Sequence, residues 1–336
     1  MKPKARRHPD RDSVKVLIHG GSGQVGRLLA RSFHADGHDV VVLSRSPRPA
    51  PWRVAAWDPG VIGAWADEFN GATVVINLAG RSVNCRYTAT NQRTIMESRV
   101  ISTAAVATAI ARAAAAPSIW LQASTATIYA HRFDAPNDET TGQIGGTERG
   151  APASWHFSIQ VAEAWERACL AAVVPNTRRV LMRSAMVMSP DRGGIFDTLL
   201  GLVRHGLGGK AADGRQYISW IHDQDFIRAV HFLIDNSSIS GPVNLAAPTP
   251  LPNAEFMKTL RVAWGAPIGL PATRWMLTLG AYLMRTETEL VLKSRRVVPG
   301  RLAALDFTFA FPTWPEAAAD LCSRWHKLRE TRWLSA

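Results

Sequence analysis

The chain has 336 residues, 46% of them hydrophobic and 20% charged, which is the balance of an ordinary globular protein. Its three cysteines, Cys85, Cys169 and Cys322, lie far apart without a metal-ligand spacing, so we predict no disulfide framework, no metal site and a reducing compartment, the cytoplasm. The net charge of +12 comes from arginines spread along the chain without a nucleic-acid-binding motif, so we expect no nucleic-acid partner.

The predicted elements alternate between strands and helices along most of the chain. A basic segment without the apolar core of a secretory signal comes first, and we predict a disordered arm over residues 1–12. Strands are predicted at residues 14–19, 39–45, 53–58, 72–80, 118–124, 178–188 and 241–247. Helices are predicted at residues 25–37, 102–115, 159–171, 224–234, 253–264 and 275–284. Parallel crossovers must return across a sheet face, so this alternation predicts an α/β fold with a Rossmann-type doubly wound parallel sheet.

The order of elements also suggests two lobes. The alternation weakens after residue 190, where glycine-rich and later proline-rich segments follow. We therefore assign residues 13–190 to a nucleotide-binding domain, to which residues 219–247 return. Residues 191–218 and 248–336 are assigned to a smaller, mostly helical C-terminal substrate lobe. The most apolar segment, residues 102–115, is interrupted by Arg112 and too short to span a bilayer, so we expect no membrane partner.

Glycines stand at positions 20, 23 and 26, between the first predicted strand and the first predicted helix. In such a unit the first glycine permits a tight turn and the second lets the backbone approach a pyrophosphate. The third lets the helix pack on the strand, and the helix N-terminus faces the phosphates. Gly20, Gly23 and Gly26 in this position predict a dinucleotide-binding site.

The end of the second predicted strand bears on the choice of dinucleotide. NAD sites place an acidic residue there to hold the ribose, whereas this strand ends in Ser44 and Arg45. A hydroxyl and a guanidinium suit a 2′-phosphate, so we predict NADP(H) in preference to NAD(H). The alternative, that Arg45 is a solvated loop residue without a ligand, stays open because arginine is common on surfaces.

Four short motifs occur in an order that resembles a known family. They are GGSGQVG at residues 20–26, NLAG at 77–80, ASTATIY at 123–129 and SWIHDQD at 219–225. Together they resemble the extended short-chain dehydrogenase/reductases of the nucleoside-diphosphate-sugar epimerase group. From residue 14 to about residue 321, the chain is more closely similar to atypical epimerase family proteins that carry a C-terminal domain of unknown function.

The resemblance implies a set of cofactor contacts. The implied cofactor contacts are Gly20, Ser22, Gly23, Gln24, Val25, Ser44, Arg45, Leu78, Ala79, Gly80, Arg99 and Val187. The chain departs from its relatives at His19, where they tend to have a small residue. In this superfamily, helices that flank the sheet can also form a homodimer interface.

The catalytic pair of that superfamily is missing from the chain. There, a tyrosine and a lysine four residues later relay a proton at the substrate oxygen, and a serine or threonine orients that oxygen. None of the four tyrosines is followed by lysine at this spacing, and Phe157 and Val161 stand at the matching positions. Thr125 matches the orienting residue, and Tyr129 lies just past the fifth strand, so both are candidate catalytic residues. For Tyr129, a packing role is the stronger alternative.

Candidate substrate contacts are Arg86, Tyr87, Gly193 and Gly194. Arg86 and Tyr87 lie on a predicted loop and would clamp an anionic group, or they are an idle exposed pair. Two functions follow. One is an NADP-dependent oxidoreductase or epimerase that acts on a small polar or nucleotide-linked substrate. The other is a non-catalytic NADP(H)-binding regulatory or sensor protein, which the loss of the tyrosine–lysine pair favours.

Overall fold

The structure is a computed structural model that describes residues 13–148, 151–283 and 287–333. The predicted arm at residues 1–12 lies outside the described residues. The strands are β1 Lys15–His19, β2 Asp39–Ser44, β3 Arg53–Ala56, β4 Ala72–Asn77, β5 Ile119–Thr125, β6 Arg178–Ser184, β7 Met186–Met188, β8 Tyr217–Ile218, β9 Trp220–His222, β10 Gly241–Leu245 and β11 Leu251–Pro252.

The helices follow the predicted order, with several additions. They are α1 Gln24–Ala35, α2 Ala89–Arg112, α3 His156–Leu170, α4 Ile195–Arg204, α5 Asp223–Asp235, α6 Asn253–Trp264, α7 Arg274–Leu283, α8 Glu289–Leu292, α9 Gly300–Ala304 and α10 Trp314–Trp333. Short 3₁₀ helices lie at Ala64–Phe69, Ala126–Ile128 and Ala153–Trp155.

Seven strands form one sheet in the order β10-β6-β5-β4-β1-β2-β3. All neighbours in it are parallel, so the predicted Rossmann-type α/β fold is confirmed. Both faces of the sheet are covered: in β1, Val16 and Ile18 pack with α1 and α5, whereas Leu17 faces the opposite cluster with α2. Burial on both faces explains why β1 and β2 read as continuous apolar runs rather than alternating ones.

The helix predicted at residues 102–115 begins thirteen residues earlier, at Ala89. The Thr88 side chain caps it by accepting a hydrogen bond from the Asn91 N–H at 3.3 Å. The first two turns of α2 are polar and have little apolar periodicity, so the sequence pattern missed them. The earlier start places the N-terminus of α2 directly after the loop that carries Arg86 and Tyr87.

The strand predicted at residues 178–188 is divided in two. β6 stays in the main sheet, while β7 leaves it at Ala185 and pairs with β9 in a separate two-stranded sheet. This break leads the chain into the C-terminal lobe. There, α4, α6 and α10 pack around Trp220, Phe256 and Trp314, and the mostly helical character of this lobe is confirmed. Over the described ranges, no helix combines the length and apolar character needed to cross a membrane.

Candidate functional site

The first glycine of the turn brings two predicted cofactor segments together. Gly20 has a φ of +71°, a left-handed conformation that favours glycine. A Cβ at Gly20 would lie 2.9 Å from the backbone of Leu78 and Ala79. The buried Asn77 fixes that second segment, because its Oδ1 accepts the Ala79 N–H at 3.1 Å and its Nδ2 donates to Gln122 at 3.0 Å. The glycine turn and the NLAG turn therefore form one surface at the carboxyl edge of the sheet.

The other two glycines have different surroundings. A Cβ at Gly26 would lie 2.3 Å from the Gly21 Cα, so only glycine allows α1 to pack this closely on the turn. A Cβ at Gly23 would meet only the Gly20 carbonyl oxygen, at 3.5 Å. The space outside Gly23 suits a pyrophosphate. No acidic side chain lies in the first turn of α1, which begins at Gln24, so its N–H groups and dipole favour an anion.

Ser44 and Arg45 end β2 with different exposures. Ser44 is buried, and its Oγ accepts the Ser46 N–H at 3.2 Å. Arg45 is exposed, and no side chain of the described ranges forms a hydrogen bond or an ion pair with it. A shallow cavity of about 340 Å³ follows, lined by Pro47, Arg48, Pro49, Ala50, Trp52 and Val54. The Arg45 guanidinium is thus accessible to a ligand beside an open surface.

Arg99 lies next to the NLAG turn. A Cβ at Gly80 would lie 3.2 Å from the Arg99 Cζ, and the guanidinium stacks 4.9 Å from the centroid of the Trp165 ring. Arg99 also donates to the Arg81 carbonyl oxygen at 3.0 Å, and burial lowers its pKa to about 10. This geometry holds a cation beside the predicted cofactor surface.

Three further predicted cofactor residues have less specific positions. Ser22 is exposed at the tip of the turn, whereas Val25 is half-buried against the core. Val187 lies in the core with only 7% of its surface exposed. Direct contact of Val187 with a cofactor stays a prediction.

The predicted substrate contacts fall into two separate places. Gly194 lies against the glycine turn, since a Cβ there would be 2.0 Å from the Gln24 Nε2. Gly193, with a φ of +76°, precedes it. The structure therefore places Gly194 beside the cofactor residues, whereas Arg86 and Tyr87 lie on the loop that precedes α2.

Tyr129 is held in a buried polar network. Only 2% of its surface is exposed. Its hydroxyl donates to the Asn244 Oδ1 at 2.9 Å and accepts a hydrogen bond from Arg183, also at 2.9 Å. Arg183 in turn forms a two-pronged ion pair with Glu166, with both N···O distances at 2.8 Å. This geometry favours the packing role of Tyr129 over a catalytic one.

Thr125 ends β5, and its surroundings include two cations that the sequence patterns did not connect with it. Its Oγ1 accepts the Thr127 N–H at 3.1 Å. The Thr127 carbonyl oxygen accepts the Lys293 ammonium at 2.8 Å, and the Thr127 hydroxyl accepts the Arg295 Nε at 3.1 Å. The C-terminal lobe thus supplies positive charge two residues beyond Thr125.

The loop with Arg86 and Tyr87 is fastened to the same lobe. The Tyr87 N–H donates to the Glu287 Oε1 at 2.8 Å, and the Arg86 Nε lies 3.8 Å from that oxygen. The Tyr87 ring packs edge-on against Phe157, with 5.0 Å between the centroids. A tyrosine from elsewhere in the chain therefore lies beside Phe157, at one of the two positions where the usual catalytic pair is missing.

A cluster of polar side chains extends inward from Tyr87. Its hydroxyl lies 3.4 Å from the Ser158 Oγ, which donates to the Glu289 Oε2 at 2.6 Å. The Lys293 Nζ lies 3.8 Å from the Glu289 Oε1. We call Tyr87, Ser158, Glu289 and Lys293 the Tyr87 cluster. The sequence reasoning missed its last three members, because Glu289 and Lys293 in ELVLK have the spacing of an ordinary surface helix pair.

The two ionisable groups at the inner end of the cluster are almost fully buried. The side chain of Lys293 is 0% exposed and that of Glu289 is 2% exposed. Burial lowers the pKa of Lys293 to about 8 and raises the pKa of Glu289. Burial also raises the pKa of Tyr87, and the charge of Glu289 adds to that effect. All three shifts disfavour the charged forms of these groups.

A buried histidine lies behind the glycine turn. His19 is fully buried, and neither ring nitrogen has a hydrogen-bond partner in the described part of the chain. Its ring packs edge-on against Trp57 at 4.8 Å and lies 5.3 Å from Phe69. Burial lowers the pKa of His19 to about 3, so the imidazole is neutral at ordinary pH.

The chain is similar to several known proteins. Residues 16–246 match the model of the NAD dependent epimerase/dehydratase family, and residues 272–321 match a domain of unknown function, DUF1731. An epimerase family protein of Staphylococcus aureus strain MRSA252 is 30% identical over 312 residues, or 92% of this chain and 99% of that protein. Glu289 and Lys293 lie within the second matched region.

Two solved structures have folds similar to that of this chain. The crystal structure of human epimerase family protein SDR39U1 with NADPH has a TM-score of 0.80 at 27% identity, covering 92% of this chain and 99% of that one. A UDP-N-acetylglucosamine 4-epimerase from Bacillus cereus shares the fold, with a TM-score of 0.72 at 16% identity over 94% of this chain and 100% of that one.

Proposed function

Because this chain belongs to the NAD dependent epimerase/dehydratase family, we propose that it binds NADP(H) and acts as an oxidoreductase or epimerase on a small polar or nucleotide-linked substrate. The observation that carries the proposal is the glycine turn. Gly20 and Gly26 tolerate no Cβ, whereas Gly23 faces open space at the N-terminus of α1. That combination suits a bound pyrophosphate.

The preference for NADP(H) rests on Arg45. Its exposed guanidinium ends β2, where a 2′-phosphate would lie, and it has no acidic neighbour in sequence. The human relative was solved with NADPH, while fold neighbours of lower identity contain NAD. Arg45 therefore supports NADP(H) independently of those relatives.

When bound, the nicotinamide would donate or accept a hydride. The chain's own residues bind the dinucleotide and orient it. The first turn of α1 faces the pyrophosphate, and Arg45 holds the 2′-phosphate. Thr125, at the carboxyl end of β5, orients the substrate oxygen. In open parallel sheets, ligands bind at this edge.

A titration of the purified protein with NADPH and with NADH tests the cofactor proposal. We expect tighter binding of NADPH, and an Arg45→Ala variant that loses about tenfold or more in NADPH affinity with NADH affinity unchanged. Arg112→Ala is the matched control, because Arg112 is also an exposed arginine but lies at the end of α2. Equal losses in both variants would refute a specific 2′-phosphate contact, and no binding of either dinucleotide would refute the proposed function.

Two further proposals are separate from the chemistry. We propose a reducing compartment, the cytoplasm, because Cys85, Cys169 and Cys322 are all free thiols. We also propose a homodimer through helices that flank the sheet, which light scattering would test.

The alternative function, a non-catalytic NADP(H)-binding regulatory or sensor protein, gains support if NADPH binds but no carbonyl substrate is reduced.

A further inference from the structure

The direction of the hydrogen bonds in the Tyr87 cluster can be assigned. A Glu289 carboxylate has no proton to give, so Ser158 donates to it across 2.6 Å. Ser158 has one hydroxyl proton, and the 3.4 Å contact with Tyr87 must then use the Tyr87 proton. The cluster is therefore an oriented path from a half-buried phenol to a buried carboxyl group.

At the inner end of this path, one carboxyl oxygen of Glu289 lacks a hydrogen bond. Within the described residues, the Glu289 Oε1 has no hydrogen-bond partner, although the Lys293 Nζ lies 3.8 Å away. Buried ionisable pairs of this kind contribute little net stability, since desolvation offsets their attraction. Their presence beside a ligand-binding edge is more typical of a functional site.

The cluster lies close to the residues that the proposed function uses. Lys293 and Arg295 both bond Thr127, which donates to Thr125. At the outer end, a negative charge on Tyr87 would raise the pKa of Arg99, and a Cβ at Gly80 of the NLAG turn would lie 3.2 Å from the Arg99 Cζ. A chain of contacts thus connects Tyr87 with the orienting threonine through Ser158, Glu289 and Lys293.

Two other titratable candidates lack this arrangement. The Tyr129 hydroxyl is engaged by Asn244 and Arg183 in the interior. The His131 Nδ1 accepts the Ser294 N–H at 2.7 Å, and its ring packs against Trp155. Each of these groups holds local structure together. The Tyr129 network continues to Glu166 only through Arg183, whose guanidinium keeps its protons and cannot relay one.

We propose that Tyr87 is the catalytic acid–base of this site, with Ser158 and Glu289 as its proton path and Lys293 as the positioning cation for Glu289. The assignment rests on the proposed function. The resulting proton relay combines three separate segments of the chain, which are the loop with Tyr87, the start of α3 and the segment with Glu289 and Lys293. The C-terminal lobe would then be part of the catalytic machinery as well as a wall of the substrate site.

The proton and electron balance is complete for reduction of a carbonyl group. The hydride that bonds to the carbonyl carbon would come from a bound reduced nicotinamide dinucleotide, which would be oxidised in the same step. Tyr87 gives its phenolic proton to the carbonyl oxygen, which becomes an alcohol. When Glu289 is protonated, both hydrogen bonds reverse, because Glu289 then donates to Ser158 and Ser158 donates to Tyr87. Ser158 therefore passes its proton to Tyr87 and takes one from Glu289. The resulting Glu289 carboxylate faces the Lys293 ammonium, and oxidation of an alcohol runs the same path backwards.

The first test needs no cofactor. The chain has four tyrosines, so tyrosine ring labelling gives four signals for NMR, and Tyr→Phe variants assign them. The charge of Glu289 raises the pKa of Tyr87, so Glu289→Gln should lower it. The pKa of Tyr129, to which Glu289 does not contribute, should stay the same in that variant. A Tyr87 pKa that does not respond to Glu289→Gln would overturn the path.

The second test separates catalysis from structure. With NADPH and 9,10-phenanthrenequinone as the probe, Tyr87→Phe and Ser158→Ala should each lower kcat about 100-fold or more, with the NADPH Kd within about twofold. Ser158→Thr keeps a hydroxyl and should restore most of the rate. The control is Tyr217→Phe, which removes a hydroxyl from a ring that packs against Arg296.

The outcomes distinguish this proposal from the proposed function. If Tyr87→Phe keeps its kcat, the Tyr87 assignment is wrong while cofactor binding stands. A wild-type protein that binds NADPH but does not reduce the quinone also overturns the assignment, and it favours the regulatory alternative. A wild-type protein that binds no dinucleotide refutes both.

Discussion

The two sides of the candidate site are built in opposite ways. The glycine-turn side comes from one continuous stretch, β1 to β2, and its NLAG neighbour. The Tyr87 cluster draws on a loop, the start of α3 and a segment more than a hundred residues further on. Backbone geometry defines the first side, whereas side chains from distant segments define the second. Only the first therefore has a sequence signature.

The two sides also differ in how they bury titratable groups. His19, behind the glycine turn, has aromatic neighbours and no hydrogen-bond partner within the described ranges. Lys293, in the cluster, keeps a carbonyl partner and a carboxyl neighbour. An unpartnered buried group costs its full desolvation, and a partnered one recovers part of it. A change of pH should therefore alter the free energy of unfolding differently through the titratable groups of the two sides.

The largest effect that we expect is the acid sensitivity caused by His19. Its pKa is about 3 in the folded protein and near 6.5 unfolded, so only the unfolded chain gains this proton between those values. Stability therefore falls as the pH drops through that window, by about 5 kcal/mol at about 1.4 kcal/mol per pKa unit. Denaturant unfolding at pH 7 and pH 4 should show a much smaller loss for His19→Leu. The exposed His34→Leu is its control, and an acid dependence equal to wild type in His19→Leu would contradict the neutral buried imidazole.

The second effect concerns the turn itself. Gly26→Ala places a Cβ 2.3 Å from the Gly21 Cα and should cost about 3 kcal/mol or more. Gly23→Ala meets only a 3.5 Å contact and should change stability by less than about 1 kcal/mol while weakening NADPH binding. Chemical denaturation together with cofactor titration separates the two variants. Equal stability losses would mean that Gly23 is also a packing residue.

The third effect lies in the alkaline range. The pKa of Lys293 is lowered from 10.5 to about 8, so between these values the unfolded chain holds a proton that the folded protein has lost. Stability should rise with pH across this window by about 3 kcal/mol from this group. Lys293→Met should lack the rise, whereas the exposed Lys258→Met should keep it. The measurement is the free energy of unfolding from pH 7 to pH 10.5.

The smallest effects distinguish the two tyrosines. Tyr129→Phe removes one buried hydrogen bond from Asn244 and one from Arg183, and it should cost about 2 kcal/mol with NADPH affinity unchanged. Tyr87→Phe removes one long hydrogen bond from a half-buried site and should cost less than about 1 kcal/mol. If thermal unfolding reverses this order, Tyr87 is the structural tyrosine and the comparison between the two sides fails.

The sequence by itself determined the Rossmann-type sheet, the glycine turn and the mostly helical character of the C-terminal region. These features follow from local rules, because strand runs, helical spacing and glycine placement act over a few neighbouring residues. The break after β6 and the early start of α2 escaped those rules, since one depends on pairing with β9 and the other on a single cap at Thr88.

Only the tertiary structure decided what surrounds the position of the missing catalytic pair. Phe157 and Val161 could be read from the sequence as a loss, but the approach of Tyr87 to Phe157 could not. Neither could the burial of Glu289 and Lys293, whose spacing is that of an exposed helix pair. Their contacts join segments far apart in the chain, and no local pattern encodes which distant surfaces will pack together.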